Sequence, residues 1–432
     1  MRHAFTFYGT VEDRPGPRWR ALFDAVWPGY RAWYLRDGDA ARPDLATAER
    51  KLRLHMPELV PTWERLVELT GHDETAARML TLWNPPRFLP GCSQVALQAP
   101  EPALLRNYDY GLELFEQVHS STRFERRRVI GTSDCLWGLL DGMNDDGLAI
   151  SLAFGGRPGD GDGFAAPLVV RYLLEVSSDV EEAVRRLATI PVSMFYNLTM
   201  VDAGGSSVTA YVGPGMRPEV HEDPVATNHR GRTPEYPDHA RRFRSVERQE
   251  VLTDVVERDG DVASVAEAML GPEVFSHDYD GAFGTLYTAV YRPLLGEVEY
   301  RWHSGSWTRS MTSTEETYIV TLDDDAATPA QPSDLGDTYG TRWYAGEPSA
   351  EPPAESPGAG VPVAEAQAAA RRAVRDLSLS SDPAAFSALL ALSAEVGEAL
   401  GTSARTLAEQ NSWARVAEIA AVSRQAAWHR WR

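Results

Sequence analysis

The chain has 432 residues, 43% hydrophobic and 24% charged, which supplies a full core and matches ordinary globular composition. Its formal net charge of -20 excludes any broad electrostatic grip on nucleic acid or an anionic membrane. The basic clusters at Arg126 to Arg128 and Arg241 to Arg244 are too short to reverse that balance and read as solvated faces.

Met1-Arg2-His3-Ala4-Phe5 lacks the apolar core of a signal peptide, and no run reaches the roughly 20 apolar residues of a membrane span, so a cytoplasmic location is expected. Residues 1–91 are expected to be mainly helical. Trp19, Leu22, Phe23, Val26, Trp27, Tyr30 and Trp33 recur at three- and four-residue steps on one helix face, which reads as a cap packed on the next domain. A second helical stretch runs from Leu45 to Leu69, with Pro57 and Pro61 as breaks. Asn84-Pro85-Pro86-Arg87-Phe88-Leu89-Pro90 cannot continue a helix and delivers an extended chain to Gly91-Cys92.

Residues 92–322 form the expected catalytic domain, in which strands alternate with helices. Val129 to Leu140 and Gly147 to Phe154 read as strands joined by a turn at Asp141 to Asp146, followed by helices over Ala165 to Val176 and Val180 to Ala188. Asn197 to Asp202 and Val208 to Val212 make a second hairpin. Helices follow at Asp238 to Val256 and Val262 to Leu270, and the last strands fall at Gly284 to Tyr291, Val298 to Trp302 and Thr317 to Leu322. Strand pairs separated by helix pairs predict antiparallel sheets covered by helices. Residues 323–361, rich in Pro, Ala, Ser, Gly and acid, read as a flexible linker, and residues 362–432 as a helical extension with apolar faces such as Trp413, Val416 and Ile419.

With two cysteines and no C-x-x-C spacing, neither a disulfide framework nor a zinc knuckle is expected. Cys92 follows Gly91 at the head of an alternating run, and Arg106 and Asp109 lie just beyond the next turn. A thiol attacks only as thiolate, so it needs a base or a lowered pKa. One solution is a neighbouring His. Another makes the Cys the first residue of a chain, so that its own α-amine, with a pKa of about 7.7 to 8.0, takes the proton. That second solution requires cleavage of Gly91-Cys92, by attack of the thiol on the Gly91 carbonyl and hydrolysis of the resulting thioester. Cys135 reads as a buried bystander, and His221 and His229 lack a third partner at metal-binding spacing, so neither a metal nor a bound cofactor is expected.

Gly91-Cys92-Ser93, Arg106-Asn107-Tyr108-Asp109, Gly142-Met143-Asn144 with Gly147-Leu148-Ala149, Asn197 with Asp202-Ala203, and Asn228-His229 resemble, in that order, the acyl-coenzyme A:6-aminopenicillanic acid acyltransferase family of N-terminal nucleophile hydrolases, relatives of the choloylglycine hydrolases. The resemblance spans about Gly91 to Leu322. It implies an α+β fold, a four-layer αββα sandwich, with Cys92 as nucleophile and, through its freed amine, as base. It further implies that Asp109 orients that amine, that Arg106 stabilises charge beside the thiol, and that Asn228, with Asn197 as second candidate, donates to the oxyanion. A late arginine is filled by Arg301, with Arg292 as alternative. The implied substrate is a small acyl amide or thioester, with acyl-coenzyme A as a possible co-substrate, and the processed fragments are expected to stay associated through the Trp-rich helices. Two other readings compete: an unprocessed Cys-His hydrolase with His229 as base, and a non-catalytic interaction protein that recruits partners through its helical tail.

Overall fold

The computed structural model describes residues 3–87, 91–98, 100–157, 159–279 and 284–322; the expected linker and C-terminal helices lie outside the described residues. The chain opens on a strand, β1 (Ala4–Val11), where only helix was expected. Phe5 and Phe7 alternate with Thr6 and are both buried, the period-2 pattern of a strand. The aromatic stripe then forms helix α1 (Pro17–Tyr34), which begins on proline and buries Trp19, Leu22, Phe23 and Tyr34. The Trp19 and Phe23 rings stack at 5.3 Å and the Phe23 and Trp27 rings at 5.2 Å.

The stretch from 45 to 69 divides into α2 (Leu45–His55), a 3-10 turn at Pro57–Leu59 and α3 (Val60–Leu69). Both prolines sit in a first turn, where the missing N–H leaves no bond unmade. A further helix, α4 (Glu74–Leu80), is capped by Asp73, whose side chain accepts from the Ala76 N–H.

Six strands follow before the next α-helix: β2 (Gly91–Leu97), β3 (Ala103–Tyr110), β4 (Val118–Thr122), β5 (Val129–Asp134), β6 (Gly138–Asn144) and β7 (Ala149–Phe154). The expected single strand from 129 to 140 is thus two, because Cys135 and Leu136 adopt positive φ of 54° and 74° and reverse the chain. Next come α5 (Ala166–Val176), α6 (Val180–Leu187), β8 (Tyr196–Val201), β9 (Ser207–Val212), β10 (Glu219–His221) and β11 (Val225–Ala226). The helix expected over 238–256 is broken at Arg244, φ 49°, into α7 (Pro237–Phe243) and α8 (Ser245–Arg258). The described chain ends with α9 (Val262–Leu270), β12 (Gly284–Arg292), β13 (Glu297–Trp302), β14 (Gly305–Ser310) and β15 (Glu316–Thr321).

The strands form two sheets. One has the order β10-β9-β8-β7-β6-β5-β4-β1-β15 and the other β11-β2-β3-β12-β13-β14. Every pairing is antiparallel except that of β1 with β4. Helix α5 packs on β6 and β7, while β2 and β3 face β7 and β8 across the middle and carry α8 and α9 on their far side. The result is the four-layer αββα sandwich. The segment expected to be helical also contributes a strand: β1 lies between β4 and β15 and is built into the large sheet. No helix among the described residues is long and apolar enough to cross a membrane.

All eleven residues of α5 are buried, including Arg171 and Glu175, paired at 3.2 Å. Burial pushes the Glu175 carboxyl up to about 7, with Arg171 opposing the shift. Below about pH 4 the carboxyl is protonated in both folded and unfolded chains. As pH rises toward 7 the unfolded chain releases that proton first, so the folded state loses relative stability, and the loss is complete above 7. Glu175→Gln is expected to remove this decline. Urea titrations of both proteins from pH 4 to pH 8 should diverge by about 2 to 4 kcal/mol, with the variant curve the flatter.

Candidate active site

Strand alternation sorts the side chains of β2 and β3 onto two faces. Cys92, Ala96, Leu104 and Tyr108 belong to the core between the sheets, whereas Val95, Leu97, Ala103 and Leu105 pack under α8 and α9. Gly91 pairs with Asp109, and Cys92 with Tyr108. A Cβ at Gly91 would lie 3.1 Å from the Asp109 Cβ, so glycine allows this close approach.

Cys92 is fully buried. Its Sγ accepts from Arg106 Nη2 at 3.2 Å, its backbone N–H donates to Asn228 Oδ1 at 3.0 Å, and its carbonyl accepts from Arg248 Nη1 at 2.8 Å. Arg106 is itself buried, stacks over the Tyr108 ring at 4.7 Å, and donates through Nη1 to Asp141 and to the Tyr287 hydroxyl. Asp141 also accepts from Tyr287 at 2.5 Å, Tyr291 at 2.6 Å and Thr132 at 3.0 Å. The guanidinium is therefore anchored on one side and presented to the thiol on the other.

Arg248, from α8, was not singled out from the sequence and is the hub of the opposite side. It donates to Ser93 Oγ at 2.7 Å, Asp109 Oδ2 at 3.2 Å and Asn228 Oδ1 at 2.7 Å, while its Nε donates to the Phe243 carbonyl. The other oxygen of Asp109 accepts from Thr285 at 2.7 Å. Only the burial of an arginine in a helix turned toward β2 makes it visible, and the sequence offers no local mark of that.

Asn228 Oδ1 accepts from two donors and its Nδ2 donates to the Phe154 carbonyl at 2.9 Å, which fixes the amide orientation. In this uncut chain Asn228 thus holds the Cys92 nitrogen, in place of the oxyanion-donor arrangement expected from the sequence. Asn197 does not face the thiol: its Nδ2 donates to the Thr227 and His229 carbonyls at 2.7 and 3.0 Å and fixes the loop carrying Asn228. Gly156, φ 71°, passes so close to that loop that a Cβ there would lie 2.0 Å from the Asn228 carbonyl oxygen.

Three expectations are displaced. Arg301 sits on β13, three strands from β2 through the row Ser93, Asn107, Thr288, Arg301, or about 14 Å at ordinary strand spacing. It lies 3.9 Å from Glu299, and Arg292 bonds Glu101 and Glu299. Neither joins the thiol; Arg248 is the second guanidinium there. His229 holds Thr227 and Ser245 through Nδ1 and Gln249 through Nε2, so its ring nitrogens are committed away from Cys92.

The charges oppose one another in an informative way. Burial pushes the Cys92 thiol up, with a contribution from Asp109, while Arg106 and Arg248 pull it down. Burial also raises Asp109, against Arg248, and lowers Arg248. Two guanidinium groups thus oppose the desolvation that keeps the sulfur protonated, and burial prevails. No cluster of three His, Cys, Asp or Glu side chains among the described residues is arranged to hold a metal ion.

Residues 98–307 match the model of the family acyl-coenzyme A:6-aminopenicillanic acid acyl-transferase. The match covers just under half of the chain. The match places the chain among the hydrolases and acyltransferases that act on amide bonds. None of the curated proteins matches it in sequence. Among solved structures, it is similar to penicillin V acylase from Agrobacterium tumefaciens, with 17% identity, TM-score 0.36, and 54% of this chain and 91% of that one covered. It is similar too to a mutant conjugated bile acid hydrolase from Clostridium perfringens (12%, TM-score 0.35, 52% and 96% covered). A third is the Caenorhabditis elegans ortholog of N-acylethanolamine-hydrolyzing acid amidase (16%, TM-score 0.35, 47% and 92%). The layers and strand order described above, rather than these scores, define the fold.

Removing Arg248 would leave Asp109 buried without its cation. Arg248→Met is expected to destabilise the protein by about 3 to 5 kcal/mol, and addition of Asp109→Asn should restore a large part of the loss. Urea denaturation of the two single variants and the double variant measures the coupling directly.

Proposed function

We propose that the protein is a self-processed N-terminal nucleophile enzyme that forms an acyl-enzyme on Cys92 from a small acyl amide or thioester. The observation that supports this reading best is the surroundings of the Cys92 backbone nitrogen. A peptide nitrogen needs one acceptor; this one has Asn228 Oδ1 at 3.0 Å, on a residue gripped by Arg248, and the adjoining Gly91 is paired with Asp109. Once the preceding bond is cut, the same nitrogen becomes an amine with one acceptor, Asn228 Oδ1, already in place.

In maturation Sγ attacks the Gly91 carbonyl carbon, the Gly91–Cys92 C–N bond breaks, and the thiol proton passes to the departing nitrogen. Water then hydrolyses the thioester, which frees the Gly91 carboxylate and restores the thiol. In turnover the α-amine takes the thiol proton as Sγ attacks the substrate carbonyl, then returns it to the leaving amine. Asp109 and Asn228 orient the amine, and Arg106, donating toward Sγ at 3.2 Å, faces the charge that develops beside the sulfur. Water or a second amine resolves the acyl-enzyme.

The sheet supplies a reason for the fragments to remain together. β1 is hydrogen-bonded to β4 on one side and to β15 on the other, so a fragment ending at Gly91 stays laced into the large sheet. Helices alone, as expected from the sequence, are not the main tie.

Intact mass under denaturing conditions, wild type beside Cys92→Ala, tests the proposal. The wild type should separate into two fragments that meet at Gly91 and Cys92, while the variant stays whole and native size-exclusion shows one species for each. A wild-type protein that remains a single folded chain after prolonged incubation, with no adduct on Cys92 from an electrophilic acyl probe, refutes it.

A further inference from the structure

A cavity of about 440 Å³ opens between α1 and the turn that joins β5 to β6. Its apolar walls are Val26, Tyr30, Trp33, Tyr110 and Phe115, and its floor is Asp134 and Cys135, both buried. Its wall adjoins the strand partner of the nucleophile: Cys92 pairs with Tyr108, whose ring lies 5.7 Å from that of Tyr110 and 6.0 Å from that of Phe115.

The turn at the floor holds its backbone in a strained conformation. Two successive non-glycine residues with positive φ occur in hairpin turns that normally select Asn and Gly. Here Cys135 and Leu136 are held by outside partners: the Cys135 N–H donates to the Tyr30 hydroxyl at 2.9 Å and the Leu136 N–H to Glu116 at 2.6 Å. Glu116 also accepts from Tyr30 at 2.6 Å and Ser133 at 2.7 Å, so it is fully engaged.

Asp134 is not. It is buried, 8% exposed, yet its side-chain partners are the Cys135 thiol, a weak donor, at 3.5 Å, and the Tyr30 hydroxyl, also at 3.5 Å and too long for a strong O–H bond. It forms no ion pair among the described residues. The two arginines that line the cavity face other acids, Arg36 toward Asp37 and Arg87 toward Asp160. Burial and then the neighbouring Glu116 push the Asp134 carboxyl up to about 7, outweighing the opposing bonds from Cys135 and the more distant Arg106. A carboxyl at the base of an aromatic-walled cavity suits an ammonium group, which gains both the ion pair and the ring faces.

The geometry points to this cavity as the seat of the substrate's acyl group, with Asp134 selecting acyl groups that carry a positively charged nitrogen. The inference rests on Cys92 being the acyl-forming nucleophile, because the acyl group is the part that stays on the thiol while the amine leaves.

Two amides of 7-amino-4-methylcoumarin test it, one with a 4-(aminomethyl)phenylacetyl group and one with the near-isosteric, uncharged 4-(hydroxymethyl)phenylacetyl group. The processed wild type should favour the charged amide in kcat/KM by about tenfold or more, and Asp134→Asn should collapse that ratio toward one. A second variant acts at the cavity mouth: a Cβ at Gly29 meets nothing within 4 Å, so Gly29→Trp can overhang the opening without a clash in α1. It should lower kcat/KM for both amides by about fivefold or more with no fall in Tm. Equal or reversed preference in the wild type, a ratio that survives in Asp134→Asn, or rates indifferent to Gly29→Trp each overturn the assignment while leaving Cys92 chemistry standing. Absence of turnover and of any Cys92 adduct with either amide removes the catalytic reading, and this one with it.

Discussion

A guanidinium placed between two β-sheets has to be neutralised where it lies, and the interior of this protein is arranged around that requirement. Arg106 is fully buried, and its charge is answered by Asp141, itself buried and surrounded by hydroxyls from Tyr287, Tyr291 and Thr132. These partners come from both sheets: β3, β12, β5 and β6 meet at one carboxylate. Burying such a pair is costly unless every remaining lone pair and proton is occupied, which explains why so many polar side chains converge there. The effect of the arrangement is that one face of the guanidinium is fixed by the sandwich and the other is left for sulfur.

The second guanidinium solves a different problem. Arg248 reaches from α8 through the sheet surface to the Cys92 carbonyl, Ser93, Asp109 and Asn228. It joins groups separated by up to 156 residues in sequence. Arg106 acts on the thiol, whereas Arg248 holds the groups around the nitrogen. A nucleophile that uses its own amine needs both kinds of support, since the sulfur and the nitrogen must each keep a fixed place while protons pass between them.

Much of this was legible in the sequence because the reacting residues lie in short local patterns. Gly91-Cys92 at the head of an alternating run, and Arg106 and Asp109 three apart beyond the next turn, are features of neighbouring residues, and strands such as β8, β9, β12 and β13 fell close to where the sequence placed them. The failures were failures of register and distance. Arg301 has the right chemistry but lies three strands away, and nothing local reports which strands adjoin. Arg248 stood within a charged helix that reads as solvated, and its burial depends on where α8 packs. The break at Arg244 and the turn at Cys135 use positive φ without glycine, so the usual punctuation was missing. Strand β1 carried its own signal in Phe5 and Phe7, overshadowed by the stronger helical stripe that follows.

The pairing of β1 with β15 links the beginning of the described chain to its end. During synthesis the first strand emerges long before its antiparallel partner exists, and once β1 has paired with β4 its other edge stays open until Glu316–Thr321 has been made. The large sheet is therefore completed last at the place where the earliest segment sits. The order bears on the proposed cut at Gly91, which would divide β1 from everything it pairs with: made before closure, it would release a loose piece of chain, and made after, it would leave two polypeptides bound as one body. Under that proposal the topology turns a question of chemistry into one of timing, in which the sheet is sealed before the backbone is opened.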